Sequence, residues 1–139
     1  MTEVFAAETT IGRPVDAVWE RLIDWDIAAR WMSGVDALRA DGPTVAGTTL
    51  VFTTRGKERT GQIAALDPGR SITLRSIQGG VTADYIYMCT RHGEGTRVRL
   101  VADCRMTGPV QLLGPVIRFA IRNADSGQLD AFAATFTPG

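Results

Sequence analysis

The sequence predicts an α+β fold in which a curved, seven-stranded antiparallel sheet is accompanied by two short helices and one long C-terminal helix. Three observations carry this prediction. Apolar and β-branched segments alternate with turn residues through the middle of the chain, at intervals of roughly ten residues. A helical spacing of apolar residues interrupts this pattern once near the N-terminus, and a longer helical pattern follows it at the C-terminus.

The N-terminal part of the chain is predicted to form one strand and two short helices. Residues 3–11 mix β-branched and apolar residues with polar ones, which predicts the first strand. Pro14 suits the first turn of a helix that we expect to end near Asp24. The apolar positions of this helix recur at helical spacing: Val15, Val18, Trp19 and Leu22. Residues 25–32 predict a second short helix, closed by Ser33-Gly34.

Six further strands are predicted between successive turns, joined by short hairpin loops. The turn signals are rich in glycine, proline and aspartate: Asp41-Gly42-Pro43, Gly47, Arg55-Gly56-Lys57, Asp67-Pro68-Gly69, Gly79-Gly80 and Gly93-Glu94-Gly95. The strands between them are expected over residues 35–40, 48–54, 58–66, 71–78, 81–91 and 96–106. Seven strands are enough for a strongly curved antiparallel sheet.

The last two strands form a hairpin whose register can be predicted from its turn near Gly93-Glu94. If Arg91 faces Thr96, then Cys89 faces Val98 and Cys104 faces Ala83. The two cysteines are then too far apart along the strands for disulfide geometry, so both are expected to be reduced. The same register predicts an inward-facing set: Tyr85, Tyr87, Cys89, Val98, Leu100, Ala102, Cys104 and Met106. The outward-facing set is Asp84, Met88, Arg97, Arg99, Asp103 and Arg105.

After Gly108-Pro109 the hydrophobic pattern changes to a helical one. Residues 110–136 predict a long amphipathic helix, in which Gly127 is a weak point where a bend or break can occur. Its apolar side carries Leu113, Val116, Ile117, Ala120 and Ala124. Since this is the only long helix, it must cover the apolar side of the sheet.

Size and composition exclude several classes of protein. A chain of 139 residues fits one domain, which we expect to span residues 1–139. Fifteen basic and fifteen acidic residues give zero formal charge, so nucleic acid is not an expected partner. No apolar run reaches the roughly 20 residues of a membrane helix, and the first four residues lack the start of a signal peptide. We therefore expect a cytoplasmic protein without an integral membrane segment.

Neither a metal nor a cofactor is expected. His92 is the only histidine and lies in a predicted hairpin turn, where exposure to solvent is the expected state. One histidine and two cysteines provide no zinc motif. The glycines occur singly or in pairs in turns and do not form a phosphate-binding loop between a strand and a helix.

A curved sheet covered by one helix leaves a groove in which a small molecule can bind. The predicted lining is apolar: Phe52, Leu74, Tyr85, Tyr87, Leu100, Met106, Leu113, Ile117 and Ala120. Tyr85 and Tyr87 are the candidate catalytic residues, since a phenol on an apolar wall can donate a hydrogen bond or a proton. The alternative is that both rings complete the core. Trp19, Trp25 and Trp31 could line a ligand entrance, but for at least two of them packing of the short helices against the sheet is the favoured interpretation.

The order of these features resembles the START-related helix-grip superfamily, also called SRPBCC proteins, and within it the polyketide cyclase/dehydrase and lipid-transport group. The resemblance covers nearly the whole chain. It depends on the helix start from Pro14 to Trp19, on Trp31 with Val35, on Asp67-Pro68, on Gly95-Thr96-Arg97-Val98 and on Gly108-Pro109. It implies a helix-grip fold and an apolar ligand such as a lipid, sterol, polyketide or plant-hormone-like molecule, but no single reaction.

Three functions follow as hypotheses. The first is binding or carriage of an apolar small molecule between the sheet and the C-terminal helix. The second is an aromatase/cyclase-type enzyme that uses Tyr85 or Tyr87 as a proton donor; it is disfavoured because no charged residue is clearly predicted to face inward. The third is a groove for a segment of another protein. Its only support in the sequence is the apolar set near the C-terminal end: Leu129, Phe132 and Phe136. The sequence carries no feature that specifies an oligomeric state.

Overall fold

A computed structural model of the protein describes residues 2–32, 35–78, 80–106 and 127–136. Its strands are β1 (Thr2–Ile11), β2 (Ala37–Ala40), β3 (Thr49–Thr54), β4 (Lys57–Asp67), β5 (Ser71–Gln78), β6 (Val81–His92) and β7 (Gly95–Met106). They form one antiparallel sheet in the order β1-β7-β6-β5-β4-β3-β2. The prediction of seven strands in a curved antiparallel sheet is confirmed.

Two tight hairpin turns fix the register of the sheet. Between β3 and β4, Arg55 and Gly56 have φ values of 51° and 77°, the two positive values of a type I′ turn. Between β6 and β7, Gly93 has a φ of 61° at the first position of a two-residue loop. These turns match the right-handed twist of the strands, and each leaves no freedom for the strands to slip.

The predicted register of the β6–β7 hairpin is confirmed. Arg91 lies opposite Thr96, Cys89 opposite Val98 and Cys104 opposite Ala83. Both cysteines are buried, and they do not form a disulfide with each other. Burial raises the pKa of the Cys89 thiol to about 11, because the thiolate would lose its hydration.

The inner face of the sheet is the side that packs against the helices and carries the core. In β7, Val98, Leu100 and Ala102 are at most 1 % exposed, whereas Arg97, Arg99 and Arg105 on the outer face are exposed. This alternation is typical of an antiparallel sheet with one solvated side. His92 at the hairpin end is exposed, as predicted.

Asp84 departs from the expected solvation of the outer face, because it is only 6 % exposed. Arg75 on the neighbouring strand covers it with two hydrogen bonds, from Nε to Oδ1 at 2.7 Å and from Nη2 to Oδ2 at 2.9 Å. Hydrogen bonding and charge attraction to this carboxylate raise the pKa of Arg75. A bidentate pair of this kind is a rigid cross-strand link between β5 and β6.

The N-terminal helices close one end of the sheet. Helix α1 (Val15–Leu22) buries Val18, Trp19 and Leu22. Thr96 Oγ1 donates a 2.8 Å hydrogen bond to the Arg13 carbonyl and so holds the start of α1 against β7. The second short helix, residues Trp25–Arg30, is a 3-10 helix capped by Asp24, whose side chain accepts a hydrogen bond from the Asp26 amide. Such short connectors often adopt the tighter 3-10 geometry.

The C-terminal helix of the described chain, α2, spans Gln128–Ala134 and follows Gly127. Leu129 and Phe132 are buried on its sheet-facing side. Arg21 of α1 holds its end by a 2.7 Å hydrogen bond from Nη1 to the Thr135 carbonyl. Residues 107–126, which hold most of the predicted long helix, lie outside the described residues, as do Ser33 and Gly34. Within the described ranges, no helix has the length and apolarity needed to cross a membrane.

Candidate functional site

The inner face carries two adjacent rows of side chains that run across the strands. In the first row Ile72 lies opposite Tyr87, and Tyr87 lies opposite Leu100. All three side chains are at most 2 % exposed. This row is therefore part of the packed core, and we call it the buried row.

The second row lies two residues further along the same strands. In it Leu74 lies opposite Tyr85, and Tyr85 lies opposite Ala102. Leu74 and Tyr85 are only half-buried, and we call them the open row. Phe52 on β3 is also half-buried but lies outside this row, because it pairs with β4 four residues away from the partner of Leu74. Among the described residues, the open row keeps surface available for contact with another molecule.

Gly61 on β4 pairs with Leu50 and Ser76, so that Phe52 of β3 and Leu74 of β5 lie diagonally on either side of it. A methyl carbon built on Gly61 would lie 3.5 Å from Phe52 Cε1 and only 2.5 Å from the Arg75 carbonyl oxygen. A side chain at this position would collide with the β5 backbone. The missing side chain leaves room for the Phe52 ring on the inner face.

The buried row is covered by an aromatic cluster. The Trp31 ring meets the Tyr87 ring edge to face at 5.6 Å and the Phe132 ring of α2 at 4.9 Å. Phe136 continues the cluster, with 5.5 Å between its ring centroid and that of Phe132. Such edge-to-face contacts stabilise a packed core beyond their buried area. The expectation that at least two tryptophans pack the short helices is confirmed, since Trp19 and Trp31 are 8 % and 2 % exposed.

The two candidate tyrosines differ in their surroundings. Tyr87 is 2 % exposed, and its hydroxyl donates a 2.7 Å hydrogen bond to Gln128 Oε1 of α2. This hydroxyl therefore holds α2 on the sheet. Tyr85 is half-buried in the open row. The geometry thus separates a structural tyrosine from one placed at the candidate site.

Two polar groups at this site were not predicted from the sequence. Gln128 is 4 % exposed and partners Tyr87, a contact between residues 41 positions apart that no local pattern reveals. The second group is the Trp31 indole N–H. Its Nε1 is buried and, in the parts of the chain that the structure describes, has no hydrogen-bond partner. A buried donor left unpaired costs about 1–3 kcal/mol.

The remaining predicted lining residues lie elsewhere. Met106 is buried at the far end of β7 and pairs with Val81, away from the open row. Leu113, Ile117 and Ala120 lie outside the described residues. Ser76, which has a hydroxyl group, lies on the inner face opposite Ala83. Thr60 and Gln62 flank the inward Gly61 and therefore belong to the outer face.

An open pocket of about 250 Å³ lies on a different part of the surface, between the start of α1 and the β6–β7 turn. Its lining is mostly polar or glycine: Pro14, Val15, Asp16, Arg91, Gly93, Glu94 and Gly95. It lies at the hairpin end, and none of the open-row residues lines it. Among the described residues, no three histidine, cysteine, aspartate or glutamate side chains are grouped to hold a metal ion.

The model of the family described as polyketide cyclase/dehydrase and lipid transport matches residues 2–137. The chain belongs to this family. The resemblance to helix-grip SRPBCC proteins is thereby confirmed. No protein of curated function matches the sequence.

Solved structures of family-like folds agree with this assignment. The Zhui aromatase/cyclase from Streptomyces sp. R1128 is 17% identical, with a TM-score of 0.73 over 94% of this chain and 91% of that one. TTHA0849 from Thermus thermophilus is 20% identical, with a TM-score of 0.70 over 92% of both chains. The di-domain ARO/CYC StfQ of the steffimycin pathway is 16% identical, with a TM-score of 0.71 over 95% of this chain and 49% of that one. At these identities the likeness shows the shared fold.

Proposed function

We propose that the protein binds an apolar small molecule, such as a polyketide or a lipid, between the inner face of the sheet and the C-terminal part of the chain. The observation that carries the proposal is the open row. Leu74 and Tyr85 are large side chains that stay half-buried beside a fully packed core, and Phe52 is a further half-buried ring on the same face. An apolar wall with a few polar groups is the usual form of a small-molecule site.

The chemistry of the wall favours binding over catalysis. Around Tyr85 the cross-strand neighbours are Leu74 and Ala102, neither of which can accept a proton. In the described part of the inner face, the charged residues of β4 are Lys57 and Arg59, next to the hairpin turn, and both are exposed. Aldol closure and dehydration require a proton acceptor as well as a donor. A carrier or binding role requires neither.

The proposal can be tested by native mass spectrometry combined with displacement of a fluorescent dye. Fatty acids, sterols and aromatic polyketides would be offered in turn to the full chain. We expect at least one class to bind with a one-to-one mass increment and to displace the dye. If no compound of any class binds, the proposal is wrong.

A second candidate function is an aromatase/cyclase reaction. It is favoured by one observation, the position of Tyr85 in the open row of a fold shared with the Zhui aromatase/cyclase. Here the Tyr85 phenol would donate its proton to a substrate oxygen, while Tyr87 stays bonded to Gln128. Turnover of a linear poly-β-ketone mimic by the wild type, and its loss in Tyr85→Phe with binding retained, would support this function. Unchanged turnover in the variant would exclude the role of Tyr85.

A further inference from the structure

The unpaired indole N–H of Trp31 is the feature of the molecule that the fold does not explain. Trp31 is 2 % exposed, and its Nε1 has no hydrogen-bond partner within the described ranges. Buried polar groups in proteins are almost always paired, so each exception needs a specific reason. A phenylalanine would make similar apolar contacts without leaving a donor unpaired.

The neighbouring polar groups are paired. The Tyr87 hydroxyl bonds to Gln128 Oε1 at 2.7 Å, and Trp25 Nε1 donates to Thr44 Oγ1 at 3.2 Å. Two indoles only six residues apart in sequence therefore differ in whether the N–H has an acceptor. In the parts of the chain that the structure describes, Trp31 Nε1 is the one buried side-chain nitrogen or oxygen without a partner.

Trp31 also borders the candidate site. Its ring contacts Tyr87, which lies on the inner face two residues from Tyr85 of the open row. A molecule that extends from the open row towards Tyr87 would therefore approach the Trp31 side chain. The rings in contact with Trp31 are those of Tyr87 and Phe132, which carry no charge. A neutral acceptor oxygen fits this surrounding better than an anion, because an unpaired buried charge is costly.

We infer that the Trp31 indole N–H donates a hydrogen bond to a neutral oxygen of the bound ligand, so that the site selects apolar molecules bearing a carbonyl or similar acceptor. This inference depends on the proposed binding function and specifies its ligand class. Because Nε1 is enclosed, the contact requires a small shift of the surrounding side chains. A site built to hydrogen-bond one group of a ligand discriminates against analogues without it.

Fluorenone and fluorene test this inference, because they are flat tricyclic molecules that differ in a carbonyl in place of a methylene group. Their affinities would be measured by equilibrium dialysis for the wild type, Trp31→Phe and Trp25→Phe. We expect the ratio of fluorenone to fluorene affinity to fall about fivefold to tenfold in Trp31→Phe. Trp25→Phe removes an N–H that already has a partner, so its ratio should equal that of the wild type.

A second measurement uses the wild-type protein and therefore does not depend on the folding of a variant. In the NMR spectrum of wild-type protein labelled with the heavy isotope of nitrogen, fluorenone should move the Trp31 indole N–H proton signal downfield, whereas fluorene should not. An unchanged affinity ratio in Trp31→Phe, or a Trp31 signal that responds equally to both compounds, overturns the inference. The latter result would mean that the Trp31 N–H does not bind the carbonyl oxygen.

The outcomes distinguish this inference from the proposed function. If fluorene binds but the carbonyl gives no Trp31-dependent advantage, the inference fails and the binding function stands. If neither compound binds while the mass-spectrometric screen finds another ligand, the inference again fails alone. If nothing binds in either experiment, both fail.

Discussion

The hydroxyl of Tyr87 donates a 2.7 Å hydrogen bond to the side-chain oxygen of Gln128, which joins the middle of the sheet to the C-terminal helix. Both residues are buried, at 2 % and 4 % exposure. The bond thus fixes the helix over the buried row and leaves the open row beside it. The same contact assigns Tyr87 to the framework of the site and Tyr85 to its wall.

Tyr87→Phe should destabilise the protein by about 1–2 kcal/mol, because it weakens the pairing of a buried amide oxygen. The free energy of unfolding would be measured by urea denaturation. A double-mutant cycle with Gln128→Leu provides the control, since the cost of Tyr87→Phe should shrink once the amide is absent. Equal costs in both backgrounds would show that the two side chains are not coupled.

Gly61→Ala should cost about 1–3 kcal/mol of stability, because the new methyl group would lie 2.5 Å from the Arg75 carbonyl oxygen. It should also weaken dye binding by displacing the Phe52 ring. Gly12→Ala is the matched control, since nothing lies within 4 Å of a methyl group there. Thermal unfolding of the two variants distinguishes them. If Gly61→Ala were as stable as Gly12→Ala, there would be no close contact between Gly61 of β4 and the Arg75 carbonyl of β5.

Stability should fall between about pH 9 and pH 11 through the buried thiol of Cys89. Its pKa is raised to about 11 in the folded state by burial, so the unfolded chain releases this proton first as the pH rises. The stabilisation is complete below the unfolded pKa and is lost as the pH approaches the folded pKa. Urea denaturation across this range should show a steeper decline for the wild type than for Cys89→Ala. If the stability of both proteins declined equally with pH, the Cys89 thiol would not be the group responsible.

Much of this architecture could be predicted from the sequence because short turns and alternation are local signals. The pairing of Cys89 with Val98 followed from one two-residue loop, and the structure confirms it. The contact of Tyr87 with Gln128 could not be predicted, since it depends on how a distant helix meets the sheet. The same applies to Trp31, whose burial was expected but whose unpaired N–H appears only when its neighbours are placed. The solvated face was predicted correctly for Arg97 but not for Asp84.

The separation into rows also lay beyond sequence analysis. Leu74 and Leu100 were both expected to line the site, and alternation alone cannot distinguish them. The structure leaves Leu74 half-buried and Leu100 with 0 % exposure. Gly61 likewise appeared as an ordinary strand residue until the adjacent β5 backbone was located.

Dye binding to a pair of adjacent variants tests the central claim most directly. Leu74→Gln places an amide on the inner face in the open row, whereas Thr73→Gln makes the same change at the next residue, on the outer face. If the ligand lies on the inner face, Leu74→Gln should weaken binding at least about tenfold, because a polar group must be desolvated there. Thr73→Gln should bind like the wild type. Equal affinities for both variants, with both folded, would contradict a binding site on the inner face.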